Sequence, residues 1–592
     1  MIETRDTWQL FFKLRNNITL EGDLELARRE IVQLVGCSVR PVARRDLDNW
    51  LGCGALLPKD LECVRDGIVG YLCEVHKFDS WRLFTGLSFC ELVAGRSHRG
   101  AVFPPSLRAL PARLTRLHEA KENRVFAFIP FNAMAEWSDI AARRARSTAE
   151  VQTVLNLLCD ALINPTSGSL PAPLRAIAGA RQTTGHLFHG LHVYKAKFFP
   201  RMARALLNLC GGCTVLDPFS GSGTALIEAS VMGKSSVGVD IDPLSAAITA
   251  VKASLLQREE NLLGQLGEVV ARVESLGKGQ ASLFEIAETG EFYGLVPTFL
   301  RKRIPEPILR EVEEDLACIL IALQGVPERG VWHILLSDAI SRKFKFRFLG
   351  LGYGRFSLTI QPARLRNMFL DNLRALANAW SAWQWLREVA NIAPMPIAAL
   401  HGDARALPLQ DNQFDTVITS PPYMPASSGR ENYLKSKAFA MTVLGLICPD
   451  EVDMLEAQQI GSVQRSDAYE TLPPKAREVV EWMQTDPTRS VKAAATASYF
   501  VDLRQSLSEI RRVLTPGGSC AFVVARQHVF YRYKTREIVR VVENAEITAQ
   551  LAQQAGLEVE ECLHVELKKQ NSVARPRSQD AYYETVLMLK KP

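Results

Sequence analysis

The stretch Phe414-Asp415-Thr416-Val417-Ile418-Thr419-Ser420-Pro421-Pro422-Tyr423 decides how this chain is read. An apolar, β-branched run stops abruptly at Ser420-Pro421-Pro422-Tyr423. Such a run fits a parallel strand buried on both faces, whose C-terminal end delivers a ligand-binding loop in an α/β sheet. Two successive prolines have nearly fixed φ and donate no backbone N–H, so the turn is stiff. Its carbonyls stay available as acceptors, a hydroxyl precedes them and an aromatic plane follows. That set suits a planar ring carrying an amino group. A proline-rich turn after a strand can also be purely structural, so the flanking sequence has to decide.

Upstream, Thr214-Val215-Leu216-Asp217-Pro218-Phe219-Ser220-Gly221-Ser222-Gly223-Thr224 runs into a helix through Ala229, then a short strand ending at Asp240. Strand, glycine turn, helix, strand and acid form the first half of a nucleotide-binding βαβ unit. Gly221 and Gly223 let the backbone turn sharply and approach a ligand, and Asp240 can take both ribose hydroxyls. The acid at Asp217 is wrong for a pyrophosphate and right for an ammonium group, such as the methionine end of S-adenosylmethionine. Ala399 to Ala404 reads as another short strand, ending at Asp403. Ser498 to Leu514 reads as a helix stopped by Thr515-Pro516-Gly517-Gly518, with a strand at Cys520–Val524 after it. Ile538 to Ala555 reads as helical, Gly556-Leu557 starts a strand, and Glu584–Leu589 is an edge strand.

Between the two motifs, Ser341 to Asn367 contains no acid. Arg342, Lys343, Lys345, Arg347 and Arg355 alternate there with Phe344, Phe346, Phe348, Tyr353 and Phe356. Basic side chains supply phosphate contacts and aromatic planes stack on bases, which makes Arg342, Lys343, Lys345, Arg347, Tyr353 and Arg355 candidate nucleic-acid contacts. The same alternation fits a half-buried strand with one solvated basic face.

A chain of 592 residues is too long for one core, and 47% hydrophobic with 23% charged residues describes a globular protein. The net charge of +6 permits a polyanionic partner. No apolar run reaches the roughly 18 residues of a membrane span, and the N-terminus lacks a signal region, so a cytoplasmic location without membrane contact is expected. The twelve cysteines are scattered, which suggests reduced thiols. Cys210 and Cys213 have metal-ligand spacing without a second pair, so no metal is expected.

Together these segments resemble the S-adenosylmethionine-dependent DNA amino-methyltransferases, most closely the cytosine-N4 branch. Lys197-Phe198-Phe199-Pro200 looks like the family's F-x-P segment, Asp217 to Thr224 like its D-P-F-x-G-S-G-T cofactor loop, and Ser420 to Tyr423 like its catalytic loop. The resemblance covers about 180–250 and 395–592. It implies S-adenosylmethionine as cofactor, bound by Lys197, Phe198, Pro200, Asp217, Pro218, Phe219, Gly221, Gly223, Thr224, Asp240 and Asp403, the last near the adenine amino group. It implies catalysis by Ser420, Pro421, Pro422 and Tyr423 on a base flipped from double-stranded DNA, with cognate restriction or defence proteins as partners and a nucleoid association. Ser420 favours cytosine N4 as the target over adenine N6, where Asp or Asn is usual.

The expected fold is α/β: a Rossmann-like methyltransferase sheet with helices on both faces, an N-terminal α+β domain and mainly helical insertions. The expected division is 1–145 accessory, 146–180 helix and linker, 181–252 cofactor half, 253–395 insertion and DNA-contact region, 396–424 catalytic loop, 425–497 second insertion and 498–592 C-terminal half. The strand and acidic helix that open residues 1–145 weakly resemble the accessory RNA-binding domain of some tRNA methyltransferases. A tRNA guanine-N2 methyltransferase and a non-catalytic nucleic-acid-binding module therefore stand as alternatives.

Overall fold

The computed structural model describes residues 7–15, 18, 20–43, 46, 67–97, 102–119, 124–163, 172–178, 184–194, 197–277, 295–348, 356–424, 433–448, 451–461, 469–532, 535, 537–567 and 582–592. Its centre is a seven-stranded sheet: β1 (Thr214–Asp217), β2 (Ser235–Asp240), β3 (Ile397–His401), β4 (Phe414–Thr419), β5 (Leu514–Ala525), β6 (Glu558–Leu567) and β7 (Tyr582–Lys590). The order is β3-β2-β1-β4-β5-β7-β6. The first five strands are mutually parallel, and β7 runs antiparallel to both neighbours. This is the expected α/β, Rossmann-like architecture.

The period of two along each strand explains why both faces must be covered. Val417, Phe522 and Leu587 face one apolar cluster, under the helices Pro474–Thr485, Ser490–Val513 and Asn544–Gln554. Ile418, Val523 and Val586 face the other, under Pro200–Cys210, Thr224–Val231 and Pro243–Gln257. Chain order reverses between β1 and β4, so the crevice beyond their carboxyl ends is the switch point where open α/β sheets bind ligands.

The N-terminal region forms a six-stranded antiparallel sheet from Trp8–Leu14, Arg40–Ala43, Ile68–Val75, Cys90–Ser97, Thr115–Glu119 and Arg124–Phe128. Its core is continuous with the second cluster of the central sheet. Buried charge crosses the seam: Arg201 donates to both oxygens of Glu136 at 2.6 Å, and Asn208 donates to Glu30 at 2.8 Å. Burial pushes the Glu136 carboxyl up, but Arg15 and Arg201 outweigh it and bring it down to about 2. Such pairs lose solvation, yet breaking one leaves an uncompensated buried charge, so they fix how the two sheets meet.

Three expectations need correction. Glu584–Leu589, expected at the edge, lies in β7, which pairs with both β5 and β6, and its Val586-Leu587 run is buried on both faces, so β6 is the edge. Ile538 to Val542 is a strand paired with His528–Tyr531, and only Asn544–Gln554 is helical. The β-branched run Ile538-Val539-Arg540-Val541-Val542 prefers the extended state. Leu514 already belongs to β5, opposite Phe414, and the stretch up to Ser519, opposite Thr416, is an irregularity within the strand, with Gly517 at φ 77°. Among the described residues no helix is long and apolar enough to cross a membrane.

Candidate active site

The carboxyl ends of β1, β2 and β4 bring Asp217, Asp240 and Ser420 to one edge of the sheet. The Asp217–Thr224 turn is fixed from below. Thr249 donates to the Gly221 carbonyl at 3.2 Å, Lys252 donates to the Ser222 carbonyl at 2.8 Å, and Gly223 N–H closes on Ser220 at 2.7 Å. Gly221 and Gly223 have φ of 51° and 75°, and a Cβ on Gly221 would meet the Tyr194 ring at 3.2 Å. Side chains are therefore excluded where a ligand must approach the backbone. Pro218 and Thr224 are buried and Phe219 is half-buried around the same turn.

Asp217 is 3% exposed and accepts from the Thr419 hydroxyl at 2.6 Å and from Phe219 N–H at 3.1 Å. Burial pushes its carboxyl up to about 7, which those two donors only partly offset. Asp240 accepts from the backbone of Gly221 at 2.7 Å and of Asp242 at 2.9 Å, and burial beside the Asp242 charge pushes it up to about 6. No ion pair is recorded for either acid among the described residues. Two desolvated carboxylates without a cation, over a glycine turn, fit the ammonium and ribose diol of S-adenosylmethionine.

Asp403 is different. Arg405 grips both its oxygens, Oδ1 at 3.0 Å and Oδ2 at 2.7 Å, and also pairs with Asp502 at 3.0 Å. Lys197 donates its ammonium to the carbonyls of His189, at 2.5 Å, and Thr184, and burial lowers it to about 7. It braces the loop before the site. Phe198 is half-buried, and Pro200 is the first residue of the helix Pro200–Cys210.

The catalytic-loop residues follow β4 directly. Pro421 is buried, Ser420 half-buried, and Pro422 and Tyr423 exposed. The Tyr423 hydroxyl donates to Glu584 at 2.6 Å.

The basic segment forms the hairpin Phe344–Phe348 and Phe356–Ile360. Arg342 pairs with Asp338 at 2.8 Å, and Lys343, 1% exposed, pairs with Glu311 at 3.0 Å. Lys345 is exposed, and Arg347 lies on the same strand. Tyr353 and Arg355 lie outside the described residues.

Sequence reasoning missed several residues here. Lys437, from the second insertion, ion-pairs with Asp242 and sits 4.4 Å from the Tyr194 ring centroid. Nothing local in sequence announces it. His186 and His189 place Nε2 atoms 3.1 and 2.9 Å from one oxygen of Glu228, and the three ligating atoms lie within 4.8 Å. The H-x-x-H spacing was the available signal. However, Arg204 already pairs with the other oxygen at 2.6 Å, and both Nδ1 atoms are buried without a partner. A metal-bound imidazole donates its second N–H to an acceptor, so this cluster fits a hydrogen-bonded brace better than a metal centre.

Comparison with known proteins agrees with this geometry. The UPF0020 family model, described as an RMKL-like methyltransferase domain, matches residues 192–263. The Type II methyltransferase M.MvaI of Kocuria varians is 23% identical over 370 residues, covering 58% of this chain and 78% of that protein. The Type II methyltransferase M.BsoBI of Geobacillus stearothermophilus is 24% identical over 411 residues, covering 59% of this chain and 76% of that one. A tRNA (guanine(10)-N2)-dimethyltransferase of Methanothermobacter thermautotrophicus is 48% identical, but over 52 residues and 8% of this chain. The solved structure of TrmN from Thermus thermophilus aligns with 99% of the chain at 12% identity and a TM-score of 0.29, so the strand order carries the fold. The chain is an S-adenosylmethionine-dependent methyltransferase with distant Type II methyltransferase relatives.

Proposed function

We propose that this chain methylates an exocyclic amino nitrogen in double-stranded DNA, with cytosine N4 as the target. The observation that carries the reading is the placement of Ser420-Pro421-Pro422-Tyr423 at the switch point, beside the carboxylates Asp217 and Asp240. S-adenosylmethionine, when bound, supplies an electrophilic methyl group on a sulfonium. Asp217 holds the ammonium and Asp240 the ribose hydroxyls.

An amino nitrogen conjugated to a base ring is a poor nucleophile. The Ser420 hydroxyl and the Pro421 carbonyl accept from its N–H groups, favouring a pyramidal nitrogen and stabilising its developing positive charge. Tyr423 offers its exposed ring as the stacking plane for a base taken out of the duplex. Lys345 and Arg347 supply phosphate contacts from the hairpin. The longer span of the Type II relatives, 78% and 76% of their length, supports DNA over tRNA, since the tRNA enzyme matches only a short segment. In this reading the protein serves as the modification half of a restriction or defence system.

Transfer of labelled methyl from S-adenosylmethionine to duplex DNA, followed by nucleoside analysis, tests this. The expected product is N4-methylcytosine. Label in N6-methyladenine alone overturns the base, and label in tRNA but not DNA overturns the substrate.

A further inference from the structure

We propose that Glu584 is the positioning residue of the target-base site, holding the Tyr423 hydroxyl and so fixing the plane on which the extruded base stacks. This rests on the role given to Tyr423 above.

The placement comes from the sheet register. Thr419, the last residue of β4, pairs with Phe522 of β5, whereas Glu584 of β7 pairs with Ala525. Glu584 therefore stands three residues farther along β5, past the end of β4 and level with the loop that β4 delivers. The residues after it in β7, Thr585, Val586 and Leu587, are all fully buried, so the carboxylate is mounted on a rigid strand.

Tyr423 is held at both ends. Its backbone lies two residues beyond buried Pro421 and one before Met424, which is 1% exposed, while its hydroxyl donates to Glu584 Oε1 at 2.6 Å. The ring remains 39% exposed. An aromatic platform anchored at its backbone alone can still rotate about its side-chain torsions. A hydrogen bond to a carboxylate is among the stronger kinds and directional, so it sets the ring's orientation before a base arrives. Prepaid orientation of this sort acts on turnover rather than on cofactor binding.

The acid itself is anomalous for its place. It precedes the apolar run Val586-Leu587-Met588-Leu589 of β7, and burial raises its carboxyl while the Tyr423 hydroxyl pulls it back. A half-buried carboxylate that has lost water needs a hydrogen-bond donor in its place, and the Tyr423 hydroxyl supplies one. Lost rotational freedom in Tyr423 is the physical return.

A double-mutant cycle on the full chain tests this, with kcat and KM measured for methyl transfer to duplex DNA and folding followed by thermal melting. Tyr423→Phe and Glu584→Ala are each expected to lower kcat about five- to tenfold, with KM for S-adenosylmethionine unchanged. The double variant is expected to be no slower than either single one. Glu584→Gln, whose amide oxygen still accepts from the hydroxyl, is expected to keep at least half of the activity. Wild-type kcat in Tyr423→Phe overturns the proposal even if Glu584→Ala does not fold. Effects that multiply also overturn it, as does a Glu584→Gln loss beside a normal Tyr423→Phe, which would put the carboxylate on the base itself. Tyr423→Ala separates the two levels: if it is fully active the site assignment fails, and if it is impaired while Glu584→Ala is normal only this inference fails.

Discussion

The acids at the sheet edge and the bases of the 341–367 segment stand out equally in the sequence, and the structure treats them in opposite ways. Asp217 is buried and Asp240 half-buried, both with hydrogen-bond donors and without a salt bridge among the described residues, and burial raises both carboxyls. Arg342 is matched by Asp338 on its own helix, and Lys343 and Arg364 by Glu311 and Asp315 on the helix Glu306–Ala322. A charge that the fold leaves unneutralised marks a place built for a charged ligand, because its desolvation is otherwise unrepaid. A charge that the fold neutralises belongs to the scaffold. Asp403 shows that both outcomes occur on one sheet edge, since Arg405 occupies it.

This contrast can be broken most sharply at Asp217. Asp217→Asn removes the charge and keeps the shape, and the affinity for S-adenosylmethionine should fall about 10- to 100-fold by calorimetry, the size of a lost charge-assisted bond. The same substitution should stabilise the apo protein above pH 7. The folded-state carboxyl titrates near 7 against an ordinary value of 3.8, so the folded state gains stability from the proton at low pH and loses it as pH rises through 7. A rise of a few degrees in melting temperature at pH 8, smaller at pH 5 and gone below the ordinary value of 3.8, is expected.

The scaffold side predicts the reverse. Lys343→Met should cost about 1–3 kcal/mol of stability by leaving buried acceptors unpaired, measured by denaturant unfolding, while DNA affinity stays unchanged where the variant is folded. Lys345→Ala, on the exposed side of the hairpin, should leave stability alone. It should weaken duplex binding a few-fold and reduce the slope of log affinity against log salt by about 1. If Lys343→Met lowers that slope instead, the division between scaffold and contact residues is wrong.

Much of this was legible in the sequence, and what was legible was local. The turn around Gly221 and Gly223, the acids that end β1 and β2 and the Pro421-Pro422 stop all act over a few residues. Partners distant in the chain were not legible. Glu311 lies 32 residues from Lys343, and Glu584 lies 161 residues from Tyr423. The basic stretch looked uniform because Glu311 and Asp315 sit on another helix and Asp338 lies just upstream of it, although Asp338 and Arg342 carry the i, i+4 spacing of a helical ion pair. Ile538 to Val542 went wrong for a local reason, the β-branched run that outweighed helical continuity.

The central claim, that Asp217 is an acid waiting for a cation, is tested most directly by titrating S-adenosylmethionine into the protein at pH 5.5 and pH 7.5. Both values lie below the usual titration of an α-amino group, about 7.7–8.0, so the charged ammonium is the main form of the ligand at both. The account predicts binding at least tenfold tighter at pH 7.5 in the unmodified chain, and in Asp217→Asn a weaker affinity with most of that pH dependence gone. Equal affinity at both pH values, with Asp217→Asn binding as well as the unmodified chain, would contradict it.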